Sequence, residues 1–453
     1  MDTPGPVDAD PYLSPIFRDA DPDRAVLAVI GLGYVGLPLA VAFARKGRRV
    51  VGYDIDAARV ARIRAGHDET GEVAADDLRE ALAGGLAPTA DPEALRAAHV
   101  ILVCVPTPIT IDRRPDLGPL LAACATVGPF LSPGSVVVFE STVYPGVTED
   151  VCGPALAAAS GLEIGREVLL GYSPERINPG DRKHRVDTIV KVVAGQGRAL
   201  TEALGRLYGA LNGGLVHQAP SIRVAEAAKA IENAQRDINI AFVNEVALIC
   251  ERIGLSVHEV LEAARTKWNF LDFRPGLVGG HCIGVDPYYL SHLSQMIGHE
   301  PEVILAGRRL NDRMADDVAD RIAFRYRAIS RDSMRPRALI LGATFKENVP
   351  DQRNSKVPQL AGRLRRHGFD VVVHDPHVDP AAFSAMHGLD AVGTDGLDGH
   401  MADLLVLAVA HDDFRQLDAE GIRRMLSPHG MVADLPGVWR RTPIAKRAEY
   451  WSL

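Results

Sequence analysis

The sequence predicts an α/β chain with two doubly wound, mostly parallel sheets joined by a helical middle. Three observations predict it. Short apolar runs ending in glycine, proline or an acid alternate with helical patterns from residue 25 to about 215. From Ser221 to about Arg265 the texture turns to Ala, Glu, Ile and Lys, with no proline. A second alternation of strands and helices opens at Arg337. Alternating strand and helix is the pattern of a parallel sheet covered on both faces. At 453 residues the chain exceeds one ordinary domain and suits about two to four.

The elements follow in order. Residues 1–24 are rich in Asp and Pro and lack the basic start and apolar core of a signal peptide, so they read as a flexible tail. A first sheet domain is expected over 25–215. Ala25–Ile30 is an apolar run meeting Gly31-Leu-Gly33-Tyr34-Val35-Gly36, a helical pattern follows to about Lys46, and Arg49–Asp54 reads as a second strand. Val100–Val105, Val136–Phe139, Val168–Gly171 and Ile189–Val193 continue the series. The middle, 216–330, carries one long helix or two, broken at Gly254, then the loop with Cys282 and more helix to about Ile329. A C-terminal domain over 331–453 has strands at Arg337–Gly342, Val371–His374, Leu404–Val409 and Met431–Asp434.

Composition excludes several classes. The net charge of −8 is mild and no long basic run offers a nucleic-acid footprint. No apolar run reaches the roughly 18 residues that span a bilayer. Five cysteines without a Cys-x-x-Cys pair argue against a disulfide framework or a zinc site and for a reducing cytoplasm.

Gly31, Gly33 and Gly36 have the spacing Gly-x-Gly-x-x-Gly between a strand and a helix, the context of a Rossmann-like dinucleotide turn. The helix start offers free N–H groups to a pyrophosphate. Asp54 ends the second strand, where an acid accepts from ribose hydroxyls and repels a 2′-phosphate. That favours NAD over NADP, although Arg59 lies near enough to blur the choice. Cys282 stands in Gly279-Gly280-His281-Cys282 with Asp286 four residues on; a thiolate there is a strong nucleophile, and an inert thiol in a packed turn is the plainer reading. Lys229 and Asn233 share one helix face, where a lysine can stabilise an oxyanion or simply face solvent. Glu140-Ser141-Thr142 and Ser173-Pro174-Glu175-Arg176 lie at strand ends, where open α/β sheets bind ligands.

Seven motifs in order resemble the UDP-glucose/GDP-mannose dehydrogenase family. They are Gly31-Leu-Gly33-Tyr-Val-Gly-Leu-Pro, Pro106-Thr107-Pro, Glu140-Ser-Thr, Ser173-Pro-Glu, Glu226-Ala-Ala-Lys229-x(3)-Asn233, Gly279-Gly-His-Cys282-x(3)-Asp286 and Phe345-Lys346-x(4)-Asp351-x-Arg353-x-Ser355. The resemblance runs from about residue 26 to about 440. It implies an NAD domain, a helical region through which two copies pair, and a nucleotide-sugar domain. It also implies four-electron oxidation of a sugar C6 alcohol to the carboxylate with NAD. In that chemistry Cys282 carries a thiohemiacetal and then a thioester, Lys229 and Asn233 steady oxyanions, Asp286 and Thr142 position water, and Glu175 is the base. NAD contacts are implied for Gly31, Gly33, Tyr34, Val35, Gly36, Asp54, Arg59, Thr107, Thr142 and Arg353. Sugar-nucleotide contacts are implied for Glu175, Arg176, Lys229, Asn233, Arg274, Gly279, Phe345 and Lys346. Glucose-type members often carry a second acid where this chain has Pro179, so the chain looks closer to the UDP-N-acetylhexosamine branch, with UDP- or dTDP-glucose as the alternative. A non-catalytic nucleotide sensor would not need the thiol, and a short-chain epimerase would need a Tyr-x-x-x-Lys pair that the chain lacks.

Overall fold

A computed structural model describes residues 25–177, 186–280, 282–329, 335–397, 401–447 and 449–453. The expected N-terminal tail, the Pro179 segment and His281 lie outside the described residues. The chain divides into two compact units: residues up to Glu232 with Tyr288–Gly298, and Asn233–Pro287 with His299–Leu453.

The first unit holds eight strands: β1 (Leu27–Ile30), β2 (Val50–Tyr53), β3 (Leu86–Thr89), β4 (Val100–Val103), β5 (Ser135–Phe139), β6 (Val168–Tyr172), β7 (Lys191–Gly195) and β8 (Val216–Gln218). Their order is β3-β2-β1-β4-β5-β6-β7-β8. The reversal at β1 and β4 is the switch point of a doubly wound sheet. Strand residues alternate between two cores. Leu27, Val29, Val100 and Leu102 enter one, and Ala28, Ile30, Ile101 and Val103 the other. Burial on both faces explains why the strands read as unbroken apolar runs.

One strand departs from expectation. The apolar run Ile189–Val193 is shifted: Val190 is exposed, and the strand runs Lys191–Gly195. It pairs antiparallel with β6, through Gly171 with Gly195 and Tyr172 with Ala194. No helix is described between β6 and β7, so β7 re-enters at the end where β6 leaves. Lys191 therefore arrives at the C-terminal edge of β5 and β6.

The second unit holds β9 (Arg337–Leu341), β10 (Asp370–His374), β11 (Asp390–Val392), β12 (Ala402–Leu407), β13 (Leu426–Asp434) and β14 (Glu449–Ser452), all parallel, in the order β11-β10-β9-β12-β13-β14. Its strands also feed two cores, Ala338 and Ile340 against Leu339 and Leu341. Both units thus have the Rossmann-like architecture, with helices between.

The central helix runs Ile222–Arg252 and contributes to both units. Gly254, at φ +73°, stops it, and Ser256 caps the helix Val257–Ala264 by accepting from Glu259 N. Helices Asp286–Met296 and Glu302–Ile329 follow. Among the described residues no helix is long and apolar enough to cross a membrane.

Candidate active site

In the first unit the glycine turn is built for close approach. Gly31 has φ +88°, a conformation that disfavours side chains. A Cβ on Gly36 would lie 1.8 Å from Gly31 O, so only glycine lets the helix Gly36–Arg45 pack on the turn. A Cβ on Gly33 would meet nothing within 4 Å. Packing does not demand glycine there, and the open space leaves room for the close approach of a ligand. Tyr34 and Val35 complete the turn, and Val35 O accepts from Leu39 N at 3.2 Å. Asp54 is buried at the end of β2. Its Oδ2 accepts from Leu32 N at 2.8 Å and its Oδ1 from Asp56 N at 2.9 Å, so it braces the turn while its remaining lone pairs can meet ribose hydroxyls. Arg59 is paired to Glu69 at 2.8 Å and to Asp54 at 3.4 Å, which neutralises its charge. These residues fit NAD.

The strand ends carry the next set. Ser141 donates to Val105 O at 2.6 Å and Thr107 to Thr142 O at 2.8 Å, which ties the loops after β4 and β5 together. Glu226, on the central helix three residues before Lys229, accepts from Gly146 N at 2.6 Å and Thr148 N at 2.9 Å. The loop that follows Thr142 is therefore held against the helix that carries Lys229. Burial raises the Glu226 carboxyl to about 7, against the two amides that favour its charge. Lys229 is buried. Glu175 Oε1 accepts from Arg176 N at 2.6 Å and Ile177 N at 2.5 Å. Its Oε2 is buried and accepts no hydrogen bond from the described residues. The Arg176 guanidinium is engaged by Glu232 at 2.7 Å and Val190 O at 2.8 Å. It thus has protein partners where a sugar-nucleotide contact was expected.

The second unit carries the thiol. None of the five cysteines is in a disulfide; four are buried and Cys282 is partly exposed. Cys282 O accepts from Asp286 N at 2.8 Å, which sets the thiol at the entry to the helix Asp286–Met296. Asn233 and Asp286 are both buried, and the Asn233 amide donates to the Asp286 carboxylate. The turn before Cys282 packs flush on Phe345. A Cβ on Gly279 would lie 3.0 Å from Phe345 Cβ and 2.9 Å from Asn354 O, and one on Gly280, at φ +80°, would lie 2.9 Å from the Phe345 ring. Asn354 donates to Gly280 O at 3.3 Å. Lys346 O accepts from Thr344 Oγ1 at 2.9 Å, which fixes the loop after β9. Arg353 forks onto Asp351 at 2.8 Å through Nη2. Arg274 is exposed; burial first, then the charges of Arg440 and Arg274, hold the His258 imidazole down at about 4.

Thus Cys282, Asn233, Asp286, Gly279 and Phe345 are brought together in one unit, and the glycine turn, Asp54, Thr107, Thr142, Glu175 and Lys229 belong to the other. Sequence reasoning missed two supports. Asn244 is fully buried and pairs with one backbone residue in both directions, donating to Gly276 O at 3.0 Å and accepting from Gly276 N at 2.8 Å. Asn311 orients it, accepting from its amide at 2.9 Å and donating to Asp237 Oδ1 at 2.8 Å. The spacing 233, 237, 244 places three polar side chains on one stripe of the helix, a signal legible in the sequence. Lys191 is the second, a charged residue opening an apolar strand.

Compared with known proteins, residues 25–212 match the NAD binding domain of the UDP-glucose/GDP-mannose dehydrogenase family, 223–313 its central domain and 339–441 its UDP binding domain. The chain is 49% identical over 413 residues to the UDP-N-acetyl-D-glucosamine 6-dehydrogenase of Pseudomonas aeruginosa, covering 90% of this chain and 96% of that protein. It is 44% identical over 427 residues to Protein CapL of Staphylococcus aureus, covering 94% and 99%. Among solved structures, a UDP-D-ManNAc dehydrogenase from Pyrococcus horikoshii aligns with a TM-score of 0.84 at 30% identity, covering 94% of this chain and 98% of that one.

Proposed function

The chain belongs to the UDP-glucose/GDP-mannose dehydrogenase family of NAD-dependent nucleotide-sugar dehydrogenases, and on that footing we propose that it oxidises the C6 alcohol of a UDP-N-acetylhexosamine to the uronate through an acyl group on Cys282. The observation that carries this is the setting of Cys282. The one partly exposed thiol follows a glycine turn, and the buried Asn233–Asp286 pair fixes the carboxylate one helical turn on. A turn that merely packed an inert thiol would need neither the buried amide nor the carboxylate.

Bound NAD supplies the hydride acceptor. The glycine turn and Asp54 hold the dinucleotide, and the paired Arg59 leaves no unbalanced cation to favour a 2′-phosphate. The Cys282 thiolate adds to the C6 aldehyde left by the first hydride loss, and loss of a second hydride leaves a thioester. Lys229 and Asn233 stabilise the oxygen anions that form. Asp286 and Thr142 orient water, and Glu175 takes its proton through Oε2. Covalent capture retains the reactive aldehyde between the two oxidations.

The sugar is read from two supports. The 49% identical relative is a UDP-N-acetyl-D-glucosamine 6-dehydrogenase, and the C-terminal match is to a UDP binding domain. A panel of UDP-N-acetylhexosamines, UDP-glucose and dTDP-glucose, scored by kcat/KM, tests the reading. An acetamido sugar ahead is expected, and UDP-glucose or dTDP-glucose ahead refutes it.

The working form we propose is a homodimer. Val224, Ile231, Phe242, Ile249 and Ile253 are exposed along or just past the central helix, at spacings that keep them near one stripe. A second copy of the same helix is the apolar surface that matches such a stripe. Sedimentation of Phe242→Asp should show monomer, and an unchanged dimer would remove the stripe from that role.

A further inference from the structure

A lysine that opens an apolar strand ordinarily keeps its ammonium in water. Lys191 opens β7 and its side chain is wholly buried. Because β7 is antiparallel to β6, Lys191 stands where β5 and β6 end, beside Glu140 and Glu175. Its Nζ donates to Glu140 Oε2 at 2.7 Å and to Pro174 O at 3.3 Å. Tyr208 donates its hydroxyl to the other oxygen of Glu140. Burial works against the Lys191 charge, but Glu140 and Glu175 outweigh it and hold the ammonium above the usual lysine range.

A buried ion pair needs one carboxylate, and this site has two. Glu140 is satisfied on both oxygens. Glu175 differs: its Oε1 is pinned by two backbone amides, while its Oε2 stands 3.7 Å from Lys191 Nζ and accepts no hydrogen bond from the described residues. At that distance the charges attract, yet no donor among the described residues occupies the oxygen's lone pairs. The carboxylate is held in place and left able to accept a proton.

We propose that Lys191 is a positioning residue for Glu175 in hydrolysis of the acyl group on Cys282, a role that rests on the reading of Glu175 as the base. In that step the water oxygen bonds to the acyl carbon and one water proton passes to Glu175. The carbon–sulfur bond breaks, the sulfur leaves with its electron pair as thiolate, and the acid product ionises. Lys191 touches none of these atoms. Its charge, balanced by Glu140, keeps Glu175 Oε2 aimed at the water.

The test separates hydrolysis from the two oxidations. Full-length native chain, Glu175→Gln, Lys191→Met/Glu140→Gln and Glu140→Gln alone are mixed with NAD and the best UDP-sugar of the panel. NADH is followed in the first turnover, and the intact protein mass is read for an adduct equal to the sugar nucleotide less four hydrogens. The double variant removes Lys191 together with Glu140, the carboxylate it bonds, so Glu140 is not left as an unpaired ion and Glu175 keeps its two backbone amides but loses its cation. Glu175→Gln should slow clearance of the adduct about 100-fold, the scale of a lost general base. The double variant should also give the full NADH burst, then clear the adduct about 10- to 100-fold slower than the native chain. Glu140→Gln, which keeps Lys191 against Glu175, should clear it at least about tenfold faster than the double variant and keeps the question open to test if the double variant does not fold. An adduct that persists with Glu175→Gln but clears at the native rate in the double variant overturns the role of Lys191. So does equal slowing by Glu140→Gln and the double variant, or equal slowing by Glu140→Gln and Glu175→Gln when the double variant is lost, since the pair would then be structural. No adduct with Glu175→Gln overturns the reading of Glu175 itself, and the Lys191 role with it.

Discussion

Asn244→Ala is the perturbation that best separates support of the thiol from general stability. Asn244 makes three hydrogen bonds, two part-buried ones with the backbone of Gly276 at 3.0 and 2.8 Å and a buried one with Asn311 at 2.9 Å. Each is worth about 1 kcal/mol net, so the truncation should cost about 3 kcal/mol, or about 6–12 °C in Tm for a unit of this size. Gly276 lies six residues before Cys282, and Gly279 and Gly280 between them pack closely on Phe345. Releasing its start should let the thiol shift by a fraction of an ångström to about 1 Å, and a 1 Å displacement costs about 100-fold in rate. The assay is kcat, KM and the rate of Cys282 alkylation by iodoacetamide, each measured at the same interval below the variant's own Tm. A fall in kcat of about 10- to 100-fold is expected with KM within about threefold and an altered alkylation rate. Asn239→Ala, at a half-buried position of the same helix whose amide makes an exposed bond to Gln235 O, should change none of these by more than about twofold. If Asn244→Ala loses stability but keeps kcat and alkylation at native values, the side chain is a structural clamp and the reasoning fails.

Asp54→Ala should narrow the preference for NAD over NADP and loosen the glycine turn it braces; a native enzyme that already used NADP equally well would remove Asp54 from that role. Glu226 gives a pH signature. Its folded value, raised to about 7, lies above the unfolded 4.5, so its contribution is fully present below 4.5 and is lost as pH rises through 7. The native chain should lose up to about 3 kcal/mol across that window relative to Glu226→Gln, read as the difference between two Tm-against-pH curves, and parallel curves would contradict the assignment.

Much of this molecule was legible because strand and helix carry different periods. The two strand series, the long helix and its stop at Gly254 were read from apolar runs and breakers. The glycine turn and Asp54 were legible from spacing and context together. What escaped reading depends on long-range pairing. Nothing in Ile189–Val193 says that β7 is antiparallel, since a buried strand looks the same in either direction. Lys191 carried no local signal of its role, because its partners lie 51 residues before it at Glu140 and, through the face of the Tyr208 ring, 17 residues later in separate elements. Asn244 has its partner 32 residues on. The bond from Arg176 to Glu232, 56 residues away, was not legible either, because no local pattern marks which carboxylate a guanidinium will meet.

The central claim is that the carbon oxidised at C6 passes through Cys282, and NADH counted against sugar tests it most directly. In a single-turnover mixture with excess NAD, the native chain should form two NADH per sugar and release the uronate. Cys282→Ser, with NAD and UDP-sugar binding retained by titration, should fall by several powers of ten in uronate formation and leave no thioester mass on the protein. One NADH per sugar from the native chain, or uronate from Cys282→Ser at the native rate, would contradict it.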